Sequence, residues 1–319
     1  MPERIAFLGC GQAAALHTRT LRGIAPRLQR VYASRDGAKA ETMNRRTRGA
    51  GWFGSYASAL ADPDVAVALV LTPPAGHLEL TLAALRAGKH VIVEKPAFLT
   101  TEQCDAAAAA ATAAGRSVLV AENYFYKPLA ETLREIIASG RIGALRLIRL
   151  NALKWQRPDG WRADASLAGG GPLFEGGIHW ISLLANLGPE LLSLATRECG
   201  SALTTVSTAQ YAGGGTAVLT YSWEARGRPG GVQLSRLEGT AGAVTFESNG
   251  LFVREQGRLP VFPGLRDLAG YRAMFRDFLA ALAAGRPPRF TLAHARRDIE
   301  LLRTAQNPAA SPGEVTWMS

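Results

Sequence analysis

From residue 1 to about residue 122, short apolar runs rich in β-branched residues alternate with longer helix-forming stretches. The runs fall at 5–8, 31–34, 65–71, 91–94 and 118–121, with helical stretches such as 76–87 and the alanine-rich 101–114 between them. Gly115 stands where a capping glycine would close the second of these helices. This alternation predicts βαβ units around a parallel sheet. Beyond Glu122 the rhythm changes. A helical segment at 129–139 leads through Gly140 to a strand at 145–155, then to a glycine-rich loop and a further helix ending near Gly188. Runs at 204–211, 216–223, 232–238 and 243–247 follow, close together and joined by short turns, which predicts antiparallel pairing. Helices at 265–284 and 293–304 complete the pattern, and no internal repeat is visible. The expected fold class is α/β. An N-terminal, doubly wound parallel sheet occupies residues 1–122, and a C-terminal α+β domain with a large, mainly antiparallel open sheet occupies 123–319.

A chain of 319 residues exceeds the usual size of one compact core, in keeping with two domains. No apolar stretch reaches the roughly 18 consecutive residues of a membrane span. The run at 5–8 is too short for the core of a secretory signal and leads straight into a glycine loop, so the expected location is the cytoplasm. Cys10, Cys104 and Cys199 are odd in number and far apart, which argues against a disulfide framework and offers no metal-binding spacing. The formal net charge of +10 comes mostly from arginines scattered along the chain. The densest cluster, Arg45-Arg46-Thr47-Arg48, lacks the length and interleaved aromatics of a nucleic-acid surface. An anionic small molecule or cofactor is the expected partner of this charge.

Chemistry enters at Gly9-Cys10-Gly11-Gln12-Ala13-Ala14, between the first strand and the first helix. Gly-x-Gly-x-x-Ala in that place allows a tight turn and lets a pyrophosphate approach the helix N-terminus. Followed by further βα elements, it is the fingerprint of a Rossmann domain, and Gly9, Gly11, Gln12, Ala13 and Ala14 are the expected cofactor-binding residues. The second strand ends in Ala33-Ser34-Arg35-Asp36. NAD enzymes usually carry an acid there for the ribose 2′-hydroxyl. Ser34 can instead donate to a phosphate and Arg35 can pair with it, which favours NADP over NAD, with Asp36 pointing the other way. Without a phosphate, Arg35 is a solvated turn residue. Parallel strands present their carboxyl ends on one edge, where Thr72-Pro73-Pro74 and Glu94-Lys95-Pro96 should converge with Gly9. Thr72, Pro73, Glu94 and Lys95 therefore join the cofactor-binding set. His77 joins it too, although a histidine in a first helical turn serves structure as readily as a ligand.

Lys95, at the end of an apolar strand, is placed to exchange protons with a substrate, which an arginine cannot do near neutral pH. Pro96 restricts the Lys95 backbone to extended conformations. A second constellation lies in 169–182, where Pro172 suits a first helical turn. In a regular α-helix Glu175, His179, Ser182 and Asn186 share one face, with Leu183, Leu184 and Leu187 supplying apolar packing. A histidine beside a carboxylate can take a proton from a hydroxyl while hydride leaves the same carbon. The pair lacks a third ligand at zinc-like spacing, so no metal is expected.

In this order, the glycine fingerprint, Thr72-Pro73-Pro74 with His77, Glu94-Lys95-Pro96, Gly140-Arg141-Ile142-Gly143 and the glycine-rich helix carrying His179 resemble the Gfo/Idh/MocA oxidoreductase family. That family is named for glucose-fructose oxidoreductase and inositol dehydrogenase, and the resemblance spans nearly the whole chain. It implies an NAD(P)-dependent oxidoreductase moving hydride between nicotinamide and a hydroxyl or carbonyl carbon of a sugar, polyol or sugar derivative. Lys95 and His179 match the family's catalytic lysine and histidine, and Glu175 would orient. It also implies homodimers or homotetramers formed through the open sheet. The family helix commonly reads Asp-x-Gly-x-His-x-x-Asp, whereas this chain has Glu175 and Ser182 at the acidic positions. Glu175 reaches one methylene further and Ser182 removes a charge, so substrate identity does not transfer from the inositol or glucose enzymes. Lys154, Trp155, Arg157, Trp161 and Arg162 lie before this helix, aromatics for a sugar face and cations for an acidic substituent. Asn123 is a candidate for the nicotinamide side and Tyr124 for the substrate. Two other functions fit the same fold: a redox-cycling NAD-dependent glycosidase, and a non-catalytic cofactor-sensing regulator that would need neither Lys95 nor His179.

Overall fold

The computed structural model describes residues 3–225 and 231–306. They fall into two units. The first runs to Asn123 and takes in two later segments, Asp164–Gly169 and Gly270–Arg296. The second holds Tyr124–Ala163, Gly170–Ala269 and the described residues from Arg297 onward. The end of the expected C-terminal domain, 307–319, lies outside the described residues.

The chain opens with β1 (Arg4–Leu8), α1 (Gln12–Ile24), β2 (Gln29–Ala33), α2 (Gly37–Thr47), β3 (Gly51–Phe53), α3 (Tyr56–Ala61) and β4 (Val67–Val70). Then come α4 (His77–Arg86), β5 (His90–Glu94), α5 (Thr101–Ala114) and β6 (Val118–Ala121). The six strands form one sheet in the order β3-β2-β1-β4-β5-β6, all pairs parallel. Its order reverses between β1 and β4, the place where such sheets open a crevice for ligands. Phe7 lies level with Tyr32 on one side and Leu69 on the other, and all three are fully buried. Each large apolar side chain buried this way stabilises the sheet by about 1.5–3 kcal/mol. The strand ends that carry the glycine loop and Lys95 thus start from a rigid base.

Helix boundaries follow local chemistry. The side chains of Asp36, Ser55 and Thr100 accept hydrogen bonds from the first amides of α2, α3 and α5. Gly115 closes α5 in the left-handed region at φ 60°. Helix α1 is different, because no side chain caps its start.

The chain continues with α6 (Pro128–Ala138), β7 (Leu145–Leu153), α7 (Ala165–Ala168), a π-helical turn (Leu173–Gly177) and α8 (Ile178–Ala185). After these come β8 (Leu191–Cys199), β9 (Ser201–Tyr211), β10 (Thr216–Ser222), β11 (Leu234–Gly239), β12 (Ala243–Glu247) and β13 (Val253–Glu255). The last helices are α9 (Tyr271–Ala284) and α10 (Leu292–Ala305). Seven strands pair in the order β13-β12-β11-β7-β10-β9-β8, antiparallel throughout except for β7 beside β10. This is the mainly antiparallel sheet expected from the sequence.

Three boundaries are among those that differ from expectation. Strand β7 stops at Leu153, and Trp155 makes only an isolated bridge to Glu224. Helix α9 starts at Tyr271 rather than near 265, because Gly270 sits in the left-handed region at φ 78° and breaks any helix arriving from upstream. The single helix expected after Pro172 is a π-turn followed by α8. Within the first unit, α9 lies against α1.

Candidate active site

The glycine loop is built by exclusion. Gly9 holds φ +126°, and a Cβ there would come within 2.8 Å of the Leu71 carbonyl oxygen, so no other residue fits between the ends of β1 and β4. At Gly11 the same construction meets nothing within 4 Å. Beyond it, α1 starts with neither a side-chain cap nor an acid in its first turn, which leaves the amides of Gln12, Ala13 and Ala14 to an outside acceptor. The Ala14 side chain is fully buried, as the third position of the fingerprint requires for packing of helix on sheet. At the end of β4, the Thr72 hydroxyl is buried with no hydrogen-bond partner among the described residues. Open amides, an orphan hydroxyl and the lack of a nearby acidic cap suit an anionic dinucleotide.

At the end of β2, Ser34 is buried and its Oγ accepts the Asp36 N–H at 3.1 Å, which leaves its own hydroxyl hydrogen to donate elsewhere. Arg35 is exposed. The Asp36 carboxylate accepts the amides of Ala38 at 3.1 Å and Lys39 at 3.4 Å, so this acid serves the start of α2.

At the ends of β4 and β5, His77 is buried with its ring wholly engaged by backbone. Nδ1 lies 2.9 Å from the Pro96 oxygen and 3.1 Å from that of Ala97, while Nε2 lies 2.8 Å from the Thr72 oxygen. Burial lowers its pKa, against the opposing pull of those carbonyls and of the Glu94 charge. His77 thus fastens the loop after Lys95 to the loop after β4. Glu94 turns inward as well. One carboxylate oxygen meets His17 Nε2 and the other accepts the Lys95 backbone N–H at 3.0 Å. Lys95 is half-buried, and the Lys95–Pro96 peptide is cis. Pro73 is half-buried beside a short 3-10 turn (Pro74–Gly76), and Asn123 is buried just after β6.

In the second unit, Tyr124 and His179 stack with centroids 4.3 Å apart and planes 12° from parallel. Lys127, buried and absent from the sequence-based candidates, puts its ammonium 4.1 Å from the Tyr124 ring centre. Trp180 meets Tyr124 edge-on. Buried Glu175 accepts a hydrogen bond from Arg162 Nε at 3.1 Å, and the Arg162 guanidinium sits 4.5 Å from the Trp161 ring centre. Two residues expected to meet a substrate separately therefore form a pair. Lys154, Trp155 and Arg157 are exposed. Of the face expected on this helix, Glu175 falls in the π-turn, while His179 and Ser182 lie in α8 and Asn186 at its end. Asn186 donates from Nδ2 to the Ser182 carbonyl at 2.7 Å, and both residues are buried, so these two polar groups satisfy one another.

Tyr221 was also missed, because in β10 it reads as one more inward residue of an alternating strand. Its hydroxyl accepts the Trp223 indole N–H at 2.6 Å. A Cβ at Gly176 would collide with it, which explains the glycine beside Glu175. His17 was missed for a related reason: Ala14, His17, Thr18 and Leu21 form the buried stripe of α1, where a histidine looks like filling.

A parallel sheet that reverses order beside an uncapped helix, with a glycine cradle and a lysine at neighbouring strand ends, defines a dinucleotide-binding α/β protein. Residues 3–122 match the oxidoreductase family, NAD-binding Rossmann fold, of the Gfo/Idh/MocA group, and residues 130–245 match its C-terminal domain. The chain belongs to the Gfo/Idh/MocA oxidoreductase family. A 1,5-anhydro-D-fructose reductase from Ensifer adhaerens is 38% identical over 124 residues, which cover 38% of this chain and 37% of the relative. This chain thus spans well under half the length of that curated relative. The aldose-aldose oxidoreductase of Caulobacter crescentus, solved with glycerol, superposes with a TM-score of 0.85 at 22% identity, over 97% of this chain and 98% of that one. GenD2 from gentamicin A biosynthesis, solved with NAD, superposes at 0.83 with 25% identity, over 96% and 94%. Among the described residues no helix is long and apolar enough to cross a membrane.

Proposed function

We propose that the chain is an NAD(P)-dependent oxidoreductase acting on a hydroxyl or carbonyl carbon of a sugar, polyol or sugar derivative. Residues 1–122 would take the cofactor through Gly9, Gly11 and the first amides of α1, and residues 123–319 would take the substrate. The nicotinamide, when bound, supplies or accepts hydride. In the oxidative direction, Lys95 would take the one hydroxyl proton as the carbonyl forms, with His179 the second acid/base candidate. Glu175 orients the hydroxyl, and Tyr124 holds the His179 ring by stacking. Ser34 with its unused hydroxyl hydrogen and exposed Arg35 support a preference for NADP, since Asp36 is already occupied at the helix start. The open seven-stranded sheet of the second unit, with Leu192 and Leu234 exposed on its strands, supports a homodimer or homotetramer formed through that sheet.

The observation that carries this reading is the anchoring of Lys95 at a strand end beside an open glycine cradle. Relatives named for sugar reduction narrow the substrate class. A panel of sugars, polyols and their keto derivatives, assayed by nicotinamide absorbance with NADP and NAD in parallel, tests it. Turnover with at least one pair is expected. Lys95→Ala should lower kcat by about 10³-fold, the scale of a lost acid/base group, while cofactor binding stays near wild type. Unchanged kcat in that variant would remove Lys95 from the mechanism.

A further inference from the structure

Two groups hold the backbone around Lys95, one on each side. His77 gathers the Pro96 and Ala97 carbonyls that follow it. Glu94 takes its amide, and behind Glu94 stands His17. The His17 side chain has 0% exposure. Tyr271 and Phe275 of α9 pack edge-on against its ring at 5.5 and 5.1 Å between centroids. Its Nδ1 has no hydrogen-bond partner among the described residues, so Glu94 is the polar group this ring serves.

The charge state fixes the direction of the bond. Burial by itself would push the Glu94 carboxyl up. The hydrogen bond and charge of His17, the Lys95 ammonium and the Lys95 amide outweigh burial and hold it at about 2. An ionised carboxylate is an acceptor only, so the proton between the two rests on His17 Nε2, which donates. A ring buried among aromatics for packing alone would be better served by an apolar side chain, because a buried imidazole with one nitrogen unpartnered carries a desolvation cost.

We infer that His17 is a positioning residue for the reaction. It fixes the Glu94 carboxylate, which through the Lys95 N–H sets where the Lys95 amine points. The inference rests on the reading of Lys95 as the acid/base group. A misplacement of about 1 Å at a reacting group costs on the order of 100-fold in rate, so the link should be visible in kcat.

The test uses the full chain saturated with nicotinamide cofactor and the sugar that turns over fastest in the panel above. His17→Leu should lower kcat about 30–100-fold, with substrate KM and cofactor Kd within about threefold. His17→Gln, which presents an N–H donor near the place of Nε2, should recover kcat to within about fivefold of wild type. The double variant His17→Leu/Glu94→Gln should lose no more than Glu94→Gln alone, because both act through one link. Wild-type kcat in His17→Leu, no recovery by Gln, a loss confined to KM, or additive losses would each overturn the proposal. Lys95→Met runs beside them. Full activity there overturns the acid/base reading itself, whereas a dead Lys95→Met with an intact His17→Leu overturns only the positioning role. If His17→Leu does not fold, Glu94→Gln against His17→Gln carries the same comparison. If the panel gives no turnover, amide hydrogen exchange over 91–97 in the cofactor-bound protein decides. Lys95 N–H should exchange about tenfold faster in His17→Leu and return in His17→Gln; equal rates in all three overturn the link.

Discussion

Glu94 and Glu175 are held in opposite ways. Glu94 is fastened from inside by the buried His17 ring and a backbone amide, while Glu175 is met by Arg162 from a short 3-10 turn (Gly160–Ala163) ahead of the π-turn. The first arrangement has a measurable pH signature. The Glu94 carboxyl titrates at about 2 in the folded chain against an ordinary 4.5. A depressed carboxyl contributes stability that is fully present above the ordinary value and is lost as pH falls through the folded one. Wild type should therefore be more stable than Glu94→Gln at pH 5 to 7, and thermal melts should show that advantage shrinking as pH drops from 4.5 toward 2. At this scale the sequence revealed residue types better than attachments. Lys95, His179 and the glycines follow from spacing and neighbouring strands. His17, Lys127 and Tyr221 do not, because each occupies a position that the periodicity assigns to filling, and only the fold shows what it touches.

At the scale of elements, capping explains both a success and an ambiguity. The helix expected at 101–114 forms over those residues, since Thr100 accepts at one end and Gly115 turns the chain at the other. In sequence Asp36 reads only as the acid that points toward NAD, and its bonds to Ala38 and Lys39 show it to be the cap of α2. Asp36→Ala should then cost about 1 kcal/mol of stability, measured by urea unfolding, and leave the KM for NAD within about twofold, since losing a cap removes no contact to the cofactor. The short edge strands β3 and β13 gave no signal because three residues cannot display a period. Strand β8 was missed because its exposed face carries Leu192 and its alternation is broken at Leu191/Ser193. The π-turn was illegible for a different reason: Glu175 and His179 are four residues apart in either helix type, and spacing alone does not tell one from the other.

For the whole molecule, the parallel sheet and the mainly antiparallel sheet were both legible from the switch in rhythm near residue 122. The charge of +10 adds a property no single site carries. A cationic surface draws an anionic cofactor toward its cradle, and salt screens that attraction over about 10 Å at 0.1 M. The KM for NADP should rise with ionic strength more steeply than the KM for NAD, because NADP carries the additional phosphate; parallel slopes in steady-state assays would remove Arg35 and its neighbours from the account. The order in which the first unit is assembled from the sequence also matters. Its sheet is complete by Ala121, yet α9, which covers His17 on α1, belongs to the segment Gly270–Arg296. On the ribosome, at roughly 5–20 residues per second, the nucleotide-binding sheet emerges on the order of ten seconds before the helix that seals it. Throughout that interval, the part of α1 that meets α9 and the histidine behind the lysine lack this cover. The part of the protein made first is thus finished nearly last, and a ribosome stalled anywhere before residue 270 leaves a cofactor-binding sheet whose positioning histidine has no roof.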